Sequence, residues 1–134
     1  MTADTVNHWA AALIGMPWVA GTADCWAFAR SVWLERFGWD VPAVSIDAKD
    51  ARATRHALSA EPVTRGWDPV LTPVEGDAVL MAKGARPCHV GIWICPDEAP
   101  GVLHAVEGAG VIYTVPGRLA GLGYHIVGFY RWRA

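Results

Sequence analysis

The sequence predicts an α+β domain in which helices come first and an antiparallel β-sheet follows. Three observations carry this. Up to about residue 59 the apolar residues recur at helical spacing, whereas beyond residue 62 they fall into short β-rich runs bounded by Gly, Pro or Asp. The connections "KGARPC", "CPDEAPG" and "EGAG" are too short for crossover helices, which makes neighbouring strands antiparallel. Finally, the 134 residues contain no repeat, low-complexity tract or linker, so residues 1–134 read as one domain.

The first helix is expected over residues 4–14. Val6, Trp9, Ala10, Leu13 and Ile14 share one face, Asp4 is a suitable N-cap, and Gly15 with Pro17 ends it. "MPWVAGTAD" reads as loop. "CWAFARSVWLERFG" is the second helix, stopped by Gly38. It is apolar nearly all round, through Trp26, Phe28, Ala29, Val32, Trp33 and Phe37, and is therefore expected to be the most buried helix. A third helix, about 47–59, follows a Ser45/Asp47 cap and precedes Pro62, with the weaker face Ala51, Thr54, Ala57 and Leu58. Strands are expected at 77–82, 89–94, 102–106, 111–115 and 124–132.

Composition excludes several classes. Hydrophobic residues make up 53% and charged residues 18%, which rules out a disordered or fibrous chain. The net charge of −2, without a basic run, gives no footprint for nucleic acid. No apolar run approaches the roughly 18–20 residues of a membrane span. The first residues lack the basic start of a secretory signal, so none is expected. Three Cys, an odd number, imply no disulfide framework and at least one free thiol. Eight Trp exceed ordinary usage and point to a groove or a partner surface besides the core. Trp39, Trp67 and Trp132, at loop or terminal positions, are the first candidates for that surface, with packing of loops onto the domain the equal alternative.

Cys25 stands at the first turn of the second helix, where aligned N–H groups and the helix dipole favour thiolate. The Asp24 carboxylate opposes it, and a cationic imidazole would have to outweigh that effect. Taken alone, Cys25 reads as a small buried hydrophobe rather than a nucleophile. His89 and His104 lie on consecutive strands. If Ile94 pairs with Gly101, His104 falls opposite Gly91, diagonal to His89 on the same face and within reach of it. A slip of one residue would put the two rings on opposite faces. Cys88 and Cys95 are seven residues apart, roughly 23 Å along a straight strand, so they cannot bridge. No Cys/His spacing matches a zinc site, and neither metal nor cofactor is expected. His8 and His56 read as packing residues on helices without partners, His125 stays open, and Asp77, Gly108 and Gly110 read as turn residues.

"TADCWAFAR", "EGDAVLMAKGARPCHVGIWI" and "VLHAVEGAGVIYTV" resemble the three blocks of NlpC/P60 cysteine peptidases, a likeness running from about Ala10 to the C-terminus. The resemblance implies a papain-like α+β fold and cleavage of peptide stems of bacterial peptidoglycan. It makes Cys25 the nucleophile, His89 the base and His104 the group that orients His89, with the Cys25 N–H helping to hold the oxyanion. Where many members have Asp-Cys-Ser-Gly, this chain has Asp24, Cys25, Trp26 and Ala27. Where they often carry Tyr in the preceding loop, it has Trp18. By position Asp24, Trp18 and Trp26 would border the substrate. Trp after the Cys is typical of a phage branch found in tail-assembly gene clusters. The resemblance therefore implies a phage or prophage tail-tip component in the virion, with stem peptide and other tail-tip proteins as partners. A structural tail-tip protein with little or no hydrolase activity is the alternative. An amidase or acyltransferase of the wider papain-like group is a third reading.

Overall fold

The structure is a computed structural model that describes residues 8–42 and 66–133, without the side chains of residues 86–88 and 98. The expected helix at 47–59 and the Asp4 cap lie outside the described residues.

Trp9–Leu13 is a five-residue 3-10 helix, not the α-helix expected over 4–14. Local propensity is overridden by ties to distant residues. His8 caps the turn, its Nδ1 accepting the Ala10 N–H at 3.1 Å. The Trp9 indole donates to Glu75 Oε1 at 2.8 Å, and His8 Nε2 lies 3.0 Å from Glu75 Oε2. Gly15 and Met16 then pair with Val111. Only Ala10 of the turn is buried, so its amphipathic face does not set its shape.

The next helix, α1, spans Cys25–Phe37 as the sequence predicts. Asp24 caps its start, and Gly38 ends it in the left-handed conformation at φ 72°. Cys25, Trp26, Phe28, Ala29, Val32 and Trp33 are buried. Trp33 is fully enclosed and donates its indole N–H to Gly76 O at 2.8 Å.

Six strands follow: β1 Trp67–Val70, β2 Ala78–Lys83, β3 Arg86–Ile94, β4 Gly101–Val106, β5 Gly110–Thr114 and β6 His125–Trp132. They form one sheet in the order β1-β6-β2-β3-β4-β5, each pairing antiparallel. The expected α+β class with an antiparallel sheet is thus what the structure has. Two parts differ from expectation. β1 is four residues long and contains Pro69, which only an edge strand accommodates. β3 begins at Arg86, inside the segment that composition reads as loop, with Pro87 opposite Ala82 beyond a bulge between Met81 and Ala82. Between β5 and β6 lies a short helix, α2, Pro116–Leu119, and a 3-10 turn at Ala120–Leu122, both too brief to leave a periodic signal.

Strand alternation gives the sheet two different faces. Leu80, Val90, Ile92, Ile94, Leu103 and Ala105 form one core with the buried residues of α1, which packs on β3 and β4. Val79, Met81, Trp93 and Val102 form a second cluster with Leu119 and Tyr124. On the first face Trp26, Trp33, Trp67 and Trp132 run edge to face, with ring centroids 5.9, 4.9 and 5.2 Å apart. None of the eight Trp is exposed. Trp67 is 1% exposed, and Trp39 and Trp132 are half-buried against the same core. At Trp67 this corrects the expectation of an outward aromatic surface, since that ring lies in the core; Trp39 and Trp132 pack against the same core and stay partly exposed.

Candidate active site

Cys25 is the first residue of α1 and is 4% exposed. The preceding loop is tied to the helix start by Asp24, whose Oδ1 accepts the Ala27 N–H and Oδ2 the Gly21 N–H, both at 2.9 Å. Each carboxylate oxygen thus takes a backbone donor, and the residue that the resemblance gives to substrate serves as a cap. Trp26 is 5% exposed, packs on Trp33, and its indole Nε1 has no hydrogen-bond partner among the described residues. Trp18 is half-buried against the same core.

The two histidines do meet. β3 and β4 pair as Ile94–Gly101, Trp93–Val102 and Ile92–Leu103, the register that the sequence argument needs. His89 Nε2 lies 2.7 Å from His104 Nδ1. Gly91, between them in the hairpin, is required: a Cβ there would stand 2.4 Å from Val102 Cγ1 and 3.1 Å from His104 Cβ. His104 is fully buried, and its Nε2 lies 2.9 Å from Thr114 Oγ1. His89 stacks on Tyr124, centroids 4.6 Å apart and planes 15° from parallel. The Lys83 ammonium sits 4.8 Å from the centre of the Tyr124 ring.

Burial above all pushes His89 down to about 3, helped by the neighbouring His104 and Lys83. Burial likewise pushes His104 down to about 4. Both rings are therefore neutral at pH 7, and the contact between them needs one donor and one acceptor. When His89 Nε2–H donates to His104 Nδ1, His104 Nε2–H donates to Thr114 Oγ1. That arrangement leaves a lone pair on Nδ1 of His89, the form a proton acceptor needs.

Cys25 reaches the same two strands by way of α1. The histidines leave β3 and β4 on the face of Met81 and Tyr124, whereas α1 covers the face of Val90 and Ile92. The structure thus assembles the pair, places the thiol at the end of the covering helix, and adds Thr114, Tyr124 and Lys83. Thr114 was within reach of sequence reasoning: His104 pairs with Ile112 across the tight β4–β5 hairpin, so Thr114 is its diagonal neighbour.

The remaining candidates have structural roles. His8 is not partnerless, since it caps a turn and contacts Glu75. Asp77 makes the expected turn, accepting the Val74 N–H at 2.8 Å, and also binds Arg131 Nη2 at 2.9 Å. Gly108 and Gly110 do take positive φ, and a Cβ on Gly110 would come within 2.5 Å of Met16 O. His125 is exposed, Cys95 is an exposed free thiol raised by burial and Glu75, and His56 and the Cys88 side chain lie outside the described residues. No group of three or more His, Cys, Asp or Glu among the described residues could hold a metal ion. No helix among them is long and apolar enough to cross a membrane. No family model matches the chain, and no curated protein matches it.

Proposed function

We propose that the chain is a papain-like cysteine peptidase of the NlpC/P60 type acting on peptidoglycan stem peptides. The observation that carries this reading is the buried His89–His104–Thr114 chain, which spends Nε2 of His89 on its neighbour and leaves Nδ1 for chemistry. Nδ1 takes the proton of the Cys25 thiol, and the thiolate attacks the amide carbonyl carbon. The resulting oxyanion is met by the Cys25 backbone N–H, which at the first position of α1 has no acceptor within the helix. Collapse breaks the C–N bond, and His89 returns its proton to the leaving amine. Water, deprotonated at the same Nδ1, then hydrolyses the thioester and restores the thiol. Because burial holds both rings neutral at rest, imidazolium forms only opposite the thiolate or the oxyanion. The proton transfer requires Cys25 Sγ within hydrogen-bond reach of Nδ1 of His89.

The test is digestion of purified peptidoglycan by the wild type and by Cys25→Ala, with fragments identified by mass. New free amines from the wild type alone are expected. Equal digestion by both would remove the nucleophile. A second reading, a structural protein that retains the fold without turnover, is favoured by the two histidines leaving β3 and β4 on the face that α1 does not cover. Absence of cleavage by either protein would support it.

The Cys25–Trp26 dipeptide supports placing the protein in a phage or prophage tail tip. Purified virions should then contain it at a low, fixed copy number by quantitative mass spectrometry. Infectious particles without it would sink that placement.

A further inference from the structure

β5 is the last strand on its side of the sheet. Its outer edge is used at Val111, which gives its N–H to Met16 O and takes the Gly15 N–H, both at 2.9 Å. Alternate residues of a strand direct their N–H and C=O to the same side, so the next outward position is Tyr113. Tyr113 stands opposite Leu103 on the β4 side, no backbone hydrogen bond from the outer side reaches it among the described residues, and its ring is held aside by the hydroxyl, which donates to Ala99 O. Beside this bare edge opens a cavity of about 540 Å³, lined by Tyr113, Thr114, Arg118 and Leu122 among others. Its floor includes Gly117 and Gly121, and a Cβ on either would meet nothing within 4 Å. Arg118 makes no ion pair among the described residues.

We propose that this cleft is a binding site for an extended peptide carrying a carboxylate. The peptide adds to β5 through the N–H and C=O of Tyr113, as Gly15 and Met16 already do one step along the edge. Its carboxylate is taken by the Arg118 guanidinium, whose planar fork matches that group. Leu122, 42% exposed, supplies the apolar wall for a small side chain. A peptide seated here borders Thr114, and therefore lies two hydrogen bonds from His89. The peptidase reading supplies the reason a peptide should come to this edge; the edge and the cation stand without it.

The test titrates the full chain, as Cys25→Ala, with N-acetyl-alanyl-alanine and separately with its C-terminal amide, following backbone amides by NMR. A saturable shift of the Tyr113, Thr114 and Arg118 amides is expected, with the amide peptide binding at least fivefold more weakly. In Arg118→Gln, at an exposed position, the melting temperature should match that of the parent and the carboxylate peptide should fall to the level of the amide. No saturable shift at Tyr113, or a shift indifferent to Arg118→Gln, overturns the proposal. Peptidoglycan digestion by the wild type is read separately, so a cleft that binds without cleavage and cleavage without this cleft are different results.

Discussion

The two faces of the β2–β3–β4 sheet solve different problems with the same strands. The face under α1 is aromatic and aliphatic, from Trp33 and Trp67 to Ile92 and Leu103, and its stability comes from area removed from water. The face under Tyr124 buries an imidazole pair as deeply, and that pair is tolerable because three of its four ring nitrogens, Nε2 of His89 and both of His104, meet partners in the chain to Thr114. One face is indifferent to pH and intolerant of lost volume. The other is sensitive to protons and to lost partners. The mechanism proposed above needs the N-terminal turn of α1 to bring the first face to the second.

The largest expected effect is on the polar face. His89→Ala should lower peptidoglycan turnover by about 10³-fold or more, because the thiol loses its proton acceptor, whereas His104→Ala should cost about 10- to 100-fold. Equal small losses, measured as initial rates on one substrate, would dissolve the unit. On the apolar face Trp33→Ala should cost about 3–5 kcal/mol in urea unfolding, combining a cavity with an orphaned Gly76 carbonyl. A loss below about 1 kcal/mol would mean that α1 is not the centre of that core.

A pH titration separates the faces directly. The folded-state values of His89 and His104 lie below the ordinary 6.5, so the unfolded chain binds more protons in that window. Stability is complete above about 6.5 and falls as pH drops toward about 3–4, by up to about 1.4 kcal/mol per pH unit for each ring. Thermal melts of the wild type and His104→Asn between pH 7.5 and 5 should diverge, with the variant showing the flatter curve; parallel curves would contradict the assignment. The smallest effect belongs to Thr114→Val. It should lower kcat a few-fold and displace the pH–rate profile while leaving the fold intact, since it removes the acceptor that orients His104 without opening a cavity. An unchanged profile would reduce Thr114 to a packing residue.

How much of this could be read from the chain follows from which interactions are local. α1 was legible because its apolar sweep and its glycine stop lie within fourteen residues, whereas the capping role of Asp24 emerged only from the structure. The meeting of His89 with His104 was legible because a short hairpin permits few registers and only one parity serves. The 3-10 turn at Trp9 was not, since Glu75 decides it from far along the chain. Nor was β1, a four-residue edge strand whose Pro69 argues against it locally and whose partner β6 is the last strand. The fate of Trp67 was misjudged for a similar reason. Trp67 and Trp132 sit next to turn-like or terminal sequence, yet they close on each other and on Trp33 through the β1–β6 pair. Tyr124 and Lys83 carry no motif, and only the closing of β6 onto β2 brings them to His89.

The placement of α1 has a consequence for synthesis. The helix is complete at Phe37, but the strands that cover it, β3 and β4, end only at Val106. At about 5–20 residues per second, a ribosome takes roughly 3–14 s to cross that interval. For that time a segment bearing Trp26, Phe28, Val32 and Trp33 lacks the sheet on which it packs in the finished fold.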